Sequence, residues 1–146
     1  MPTAAKVVGA LFFAALGYFT ADLVKPLLPE GTQTVWLNET VAAIGLVFGW
    51  TMAGGRAGEG YRASLGYGLT AAVLIAFWSV VMFAGAEMIE MSLDRRYRGP
   101  MQAIKSMFAI SWGMFKLIWT KEIIVAAVVG GMFGGWLCEW SSKRWN

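Results

Sequence analysis

The stretch ASLGYGLTAAVLIAFWSVVMFAGA, residues 63–86, contains no Asp, Glu, Lys or Arg. A helix needs about 20 mostly apolar residues to cross the hydrocarbon core of a bilayer. This run reaches that length unaided. Working outward from it, Val7–Ala21, Thr40–Gly55 and Ile123–Cys138 are equally free of charge and reach a spanning length with a few flanking polar residues. The expectation is an all-α membrane protein with four transmembrane helices, about residues 4–24, 38–54, 63–91 and 122–140, in a single transmembrane domain over residues 1–146.

Composition points the same way. Hydrophobic residues make up 58% of the chain and charged residues 14%, against roughly 45–50% and 25% in soluble domains. The net charge of +3 is small and its cations are scattered. This suits anionic lipid headgroups and argues against nucleic acid. The first apolar run resembles a secretory leader, but Phe19 occupies a position where cleavage after Ala21 needs a small residue, so a retained anchor is expected. Cys138 is the one cysteine, which excludes an intrachain disulfide.

Boundary residues fit the four spans. Lys6 and Lys25 flank the first and can snorkel to its interfaces. Pro26 and Pro29 stop that helix and open a stiff surface loop, Lys25–Leu37, with Trp36 at the water boundary. Asn38 is expected to cap the second helix, with Glu39 in its first turn. The second span ends at Gly54-Gly55, and Pro100 suits the first turn of a new helix.

Residues 101–119 differ from the spans. At 100° per residue, Gln102, Lys105, Ser106, Ala109, Gly113 and Lys116 form a narrow polar stripe amid Ile104, Met107, Phe108, Trp112, Met114, Phe115, Ile118 and Trp119. The pattern predicts an interfacial amphipathic helix, about residues 100–119, between the third and fourth spans. A fifth span is the competing reading, and it would bury Lys105 or Lys116. With four spans both termini share one side, where Lys6, Arg56, Arg62, Lys143 and Arg144 lie. Lys25, Arg95, Arg96, Arg98, Lys105, Lys116 and Lys121 face the other side, so the charge bias leaves the orientation open.

The most distinctive local pattern is Gly130-Gly131-Met132-Phe133-Gly134-Gly135, two overlapping G-x-x-x-G pairs that let another backbone approach closely. Gly45 and Gly49 form a simpler pair on the second span, and G-x-x-Phe-Gly occurs in both. Either an internal repeat or chance similarity between two packing faces accounts for this. The acids Asp22, Glu39, Glu87 and Glu139 all fall near predicted span ends, where interfacial anchoring is the favoured reading.

Catalytic constellations are missing. The chain has no His, which removes the commonest general base and imidazole metal sites, and no C-x-x-C or phosphate-binding G-x-x-x-x-G-K-[ST]. No catalytic residue, metal ligand or cofactor is expected. The turn Gly54–Gly60 offers backbone N–H groups that an anion beside Arg56 could use, with a plain flexible membrane turn the favoured reading. Arg56, Arg62, Arg95, Arg96 and Arg98 are the candidate anion-attracting cations.

Several segments together resemble one family: Met1-Pro2-Thr3-Ala4-Ala5-Lys6, Lys25-Pro26-Leu27-Leu28-Pro29-Glu30-Gly31-Thr32, Gly55-Arg56-Ala57-Gly58-Glu59-Gly60-Tyr61 and Arg96-Tyr97-Arg98-Gly99-Pro100. In these and in their order the chain is similar to TrgA-type proteins, small integral membrane proteins of Rhodobacter-group alphaproteobacteria named for association with tellurite resistance. The resemblance implies a multi-pass protein of the bacterial inner membrane with a resistance-linked role, and it transfers no catalytic or ligand residues. Reducing tellurite would call for thiols or a redox cofactor, and the chain offers only Cys138, so enzymatic reduction is not expected. Two readings remain. One is an accessory protein that assembles with itself or with a membrane-protein partner through its glycine faces. The other is a small oxyanion transporter or channel with arginines at its mouth.

Overall fold

A computed structural model describes residues 3–28, 35–94 and 98–145. Those residues are all helical or in turns. The helices are α1 (Ala4–Val24), α2 (Leu37–Phe48), α3 (Tyr61–Leu93), α4 (Pro100–Ile118) and α5 (Lys121–Trp145). A 3-10 turn, Lys25–Leu27, follows α1 where Pro26 ends it, and a π-helical turn, Gly49–Ala53, prolongs α2. Three helices, Ala4–Leu27, Tyr61–Leu93 and Lys121–Trp145, are long and apolar enough to cross a membrane. The second expected span is shorter than these, Leu37–Ala53, and its last turn is π-helical rather than a plain α continuation. The loop 29–34, including Pro29, lies outside the described residues.

Many large side chains point out of this bundle, and small ones share its interior with a few large ones such as Phe13, Ile75 and Phe83. Ala5, Ala10, Ala21, Ala53, Ala71, Ala72 and Ala84 are buried, whereas Leu11, Val73, Phe77, Val129 and Phe133 are exposed. Water would favour the reverse arrangement; lipid tails do not penalise an exposed Leu or Phe, and small residues let helix backbones approach.

The glycines fix the topology. Gly49 packs on Gly9, Gly45 on Phe13 and Gly17 on Val41, so α1 and α2 run antiparallel. Gly134 packs on Phe12 and Gly130 on Leu16, which sets α5 antiparallel to α1 on its other side. Gly131 meets Gly68 and Gly135 meets Ser64, which brings α3 antiparallel to α5. All six glycines expected to mediate packing therefore face helices of the same chain.

At one end of the bundle lie the start of α1, the Gly54–Gly60 turn, the start of α3 and the end of α5. We refer to it as the loop end. The opposite end is less even. α3 has 33 residues, about 50 Å of helix, far more than its neighbours need. Val80 and Ser79 sit level with Ala21 and Val24 of α1, Leu37 and Val41 of α2 and Met114 and Ile118 of α4, where the eight line an apolar cleft of about 30 Å³. From Val80 to Leu93, and again from Pro100 to Met114, the chain covers roughly 20 Å of helix. The two arms are thus equal, and α4 returns antiparallel beside α3 as a hairpin beyond the rest of the bundle.

The helix expected over residues 100–119 forms as α4. It packs almost wholly on α3 and lies along it. Ile110, Met114, Leu117 and Ile118 turn toward the core, Lys105 and Lys116 stay exposed, and Met101, Ile104, Phe108, Trp112, Phe115 and Trp119 form an outward ridge. Cysteines introduced at Gln102 and Thr120 should react with an impermeant maleimide from one compartment only. Reaction from opposite compartments would show that α4 spans.

Candidate functional site

Polar groups gather inside the loop end, and their arrangement follows from the glycines around them. Gly54 packs against the Ala5 and Lys6 backbone, and its N–H donates to the Gly49 carbonyl at 2.8 Å, closing the π turn. The chain then reverses through Gly58 and Gly60, both at positive φ (109° and 112°), a region that favours glycine. This turn places the Gly58 N–H over the end of α5.

There Glu139, fully buried, receives it. The Gly58 N–H donates to Glu139 Oε2 at 2.6 Å, and the Ser64 hydroxyl donates to the same oxygen at 2.7 Å. Lys143 Nζ lies 3.6 Å from Oε1, one helical turn along α5, and sits 4.1 Å from the centre of the Tyr61 ring. The carboxylate therefore joins three elements: the turn, the start of α3 and the end of α5. Ser141 beside it is buried, its hydroxyl unpartnered among the described residues, and Cys138 is buried against Gly9.

Interfacial anchoring, expected for Glu139, gives way to a buried role. A signal for this was present in the spacing. The stripe that packs on α3 runs Gly131, Gly135, and four residues further reaches Glu139; the stripe facing α1 likewise runs Gly130, Gly134, Cys138.

The Gly54–Gly60 turn, favoured as a flexible membrane turn over an anion cradle, gives its Gly58 N–H to the chain's own carboxylate in this cluster. Arg56 lies outside it, 5.3 Å from the Tyr67 ring centre, while the Tyr67 hydroxyl donates to Glu59. Arg62 is exposed on α3. Arg98 belongs to the far tip of the hairpin, where its backbone N–H donates to Gln102 Oε1 at 3.0 Å. Arg95 and Arg96 fall outside the described residues. The candidate cations thus do not converge: Arg56 and Arg62 are separated from Arg98 by the length of α3.

A second polar cluster ties α1 to α2 at the opposite end of these helices. Asn38 Nδ2 donates to Asp22 Oδ1 at 2.7 Å, and Lys25 pairs with Asp22 at 3.4 Å. Asn38 is a buried cross-link and not the cap expected of it; Trp36 takes the cap position, and Glu39 lies in the first turn as expected. Among the described residues no three His, Cys, Asp or Glu side chains group as metal ligands.

Comparison with protein-family models, with curated proteins and with solved structures finds no match to this chain.

Chemically, the loop-end cluster holds one negative charge away from water with two hydrogen bonds and one cation. That is the arrangement of a polar staple between helices. Both hydrogen bonds end on Oε2, while buried Oε1 has no hydrogen bond among the described residues and faces only Lys143. The arrangement fixes a conformation because Ser64 and Gly58 left alone would be buried unsatisfied donors.

Proposed function

We propose that the chain is a non-enzymatic, multi-pass protein of the bacterial inner membrane that supports tellurite resistance indirectly, as an accessory protein acting by assembly. In this reading α1, α2, α3 and α5 cross the bilayer. Residues 37–53 cross near the short limit of about 17 residues, and both termini share the side of the loop end. The link to resistance comes from the resemblance to TrgA-type proteins.

The observation that supports assembly over transport is the sealing of the helix seams. Backbone meets backbone at Gly9–Gly49, Gly45–Phe13, Gly68–Gly131 and Gly135–Ser64, which leaves no width along these seams for an oxyanion. The turn N–H that would greet an anion is held by Glu139. Because the glycine faces are closed within the chain, a membrane-protein partner would be met on the outer faces, where the α4 ridge of Phe108, Trp112 and Phe115 is exposed.

Deleting the protein should lower tellurite tolerance, and proteoliposomes containing it alone should take up no tellurite. Unchanged tolerance in the deletion strain would remove the resistance link. Uptake by the purified protein would replace assembly with transport.

A further inference from the structure

Charge is distributed unequally between the two ends of the bundle. Lys6, Arg56, Arg62, Lys143 and Arg144 gather at the loop end, with Glu59 and Glu139 the only acids there among the described residues. The other five described cations are matched by six acids, so the excess positive charge of the described residues resides at this end. Counting cations alone, five against seven, hid this, because the larger set is matched by acids.

These cations are also held in place. Arg56 lies over Tyr67, Lys143 over Tyr61 and Arg144 over Trp140, with cation-to-centroid separations of 5.3, 4.1 and 5.2 Å. Each aromatic ring restrains its cation and contributes on the order of 0.5–1 kcal/mol at an exposed site. Glu139 is buried beneath Lys143, and Glu59 accepts the Tyr67 hydroxyl while keeping its charge, so the two acids offset only part of the five cations. About one helical turn and more below the cations, Trp136 stacks on Phe133 and both are exposed, an amphipathic ring at the depth where headgroup gives way to acyl chain.

We infer that the loop end is an anionic-phospholipid surface, with the headgroup phosphates bound by Arg56, Arg62 and Arg144, and that it faces the cytoplasm. It rests on the membrane placement proposed above. The cytoplasmic leaflet carries the negative surface potential that attracts juxtamembrane cations, and each adds roughly fivefold to affinity. Among the described residues the opposite end carries at least as many acids as cations and offers anionic lipid no net attraction.

The test uses the full-length protein purified from membranes in mild detergent, with phosphatidylglycerol and phosphatidylcholine supplied together and bound lipid counted by native mass spectrometry. Phosphatidylglycerol should be retained preferentially. Arg56→Gln with Arg144→Gln should cut that preference about thirtyfold, whereas Lys105→Gln with Lys116→Gln on the hairpin should leave it unchanged. Equal loss from both pairs, or equal retention of the two lipids by the wild type, would overturn the inference. Displacement of phosphatidylglycerol by inorganic phosphate would also overturn it, in favour of a site for a free oxyanion. In cells, a cysteine at Ala57 in a Cys138→Ala background should react with impermeant maleimide in inverted vesicles and stay protected in intact spheroplasts; the converse pattern would reverse the orientation. Alkaline carbonate extraction separates the failures. Release of the protein would sink the membrane placement, while firm retention without lipid preference would sink only the headgroup surface.

Discussion

Alanine in place of Gly135 should be among the most damaging single-methyl changes in this protein, destabilising the α3–α5 seam by about 3 kcal/mol or more. A Cβ there would overlap the Ser64 carbonyl oxygen and come within 2.8 Å of its carbon, and backbone atoms cannot rotate aside as a side-chain tip can. The intrinsic gain of Ala over Gly in a helix, about 1 kcal/mol, does not offset such an overlap. Gly66, two residues beyond Ser64 on α3 and so on the opposite face of the helix, supplies the matched control. Its added Cβ would meet nothing within 4 Å, so Gly66→Ala should be neutral or stabilising by up to about 1 kcal/mol. Thermal unfolding in detergent, followed by tryptophan fluorescence, measures both. Equal melting temperatures for the two variants would show that α3 and α5 do not meet backbone to backbone. Gly134→Leu should also destabilise, by a different route, because its Cβ meets the rings of Phe12 and Phe13 and the larger side chain would have to displace them.

The second large effect is expected at Glu139. Removing the carboxylate with Glu139→Ala strands the buried Ser64 hydroxyl and the Gly58 N–H, and should cost about 3 kcal/mol. Glu139→Gln keeps an acceptor for one or both donors and should cost less, about 1–2 kcal/mol. Ser64→Ala should cost about 1 kcal/mol, since the carboxylate keeps its other hydrogen bond and its cation. Lys143→Met should fall below about 1 kcal/mol, because the lysine side chain is 53% exposed and its pairing is screened. A structural readout accompanies the energetic one: loss of the staple frees the Gly54–Gly60 turn, and limited proteolysis should nick Glu139→Ala there before the wild type. A wild-type cleavage pattern and melting point in Glu139→Ala would show that the carboxylate does not hold the turn.

Much of the architecture was legible in the sequence where a single physical signal dominated. α1 occupies Ala4–Val24, as the charge-free run, the flanking lysines and Pro26 require, and α3 contains the whole of residues 63–91. Pro100 opens α4 at the first-turn position. The second helix was harder to delimit. Its hydropathy continues through Gly54, but the backbone changes to a π turn at Gly49, and a π turn leaves no periodic mark in composition. The path of α4 was not legible for another reason. A helical wheel separates faces by polarity, and Phe108 and Met114 look alike on it, although one faces outward and the other fills the junction with Val80. Orientation followed from the unequal lengths of α3 and its neighbours, a tertiary property. At the candidate site, proximity to a span end was the wrong guide for Glu139, while the four-residue spacing from Gly135 was the right one. Arg56, Arg62 and Arg98 share a chemistry but not a place, because only the fold decides which loops meet.

The alanine and glycine seams carry a thermodynamic consequence. In a water-soluble domain, unfolding exposes large apolar groups to water, and the resulting heat-capacity increase bends the stability curve into a dome. When these helices separate within lipid they keep their internal hydrogen bonds, and what they uncover is Ala71, Ala72, Gly131 and peptide backbone, exposed to acyl chains and not to water. Little heat capacity is gained. The free energy that holds the bundle together should therefore fall almost linearly with temperature, with no cold limb, and its enthalpy should come mainly from dispersion between closely opposed backbones.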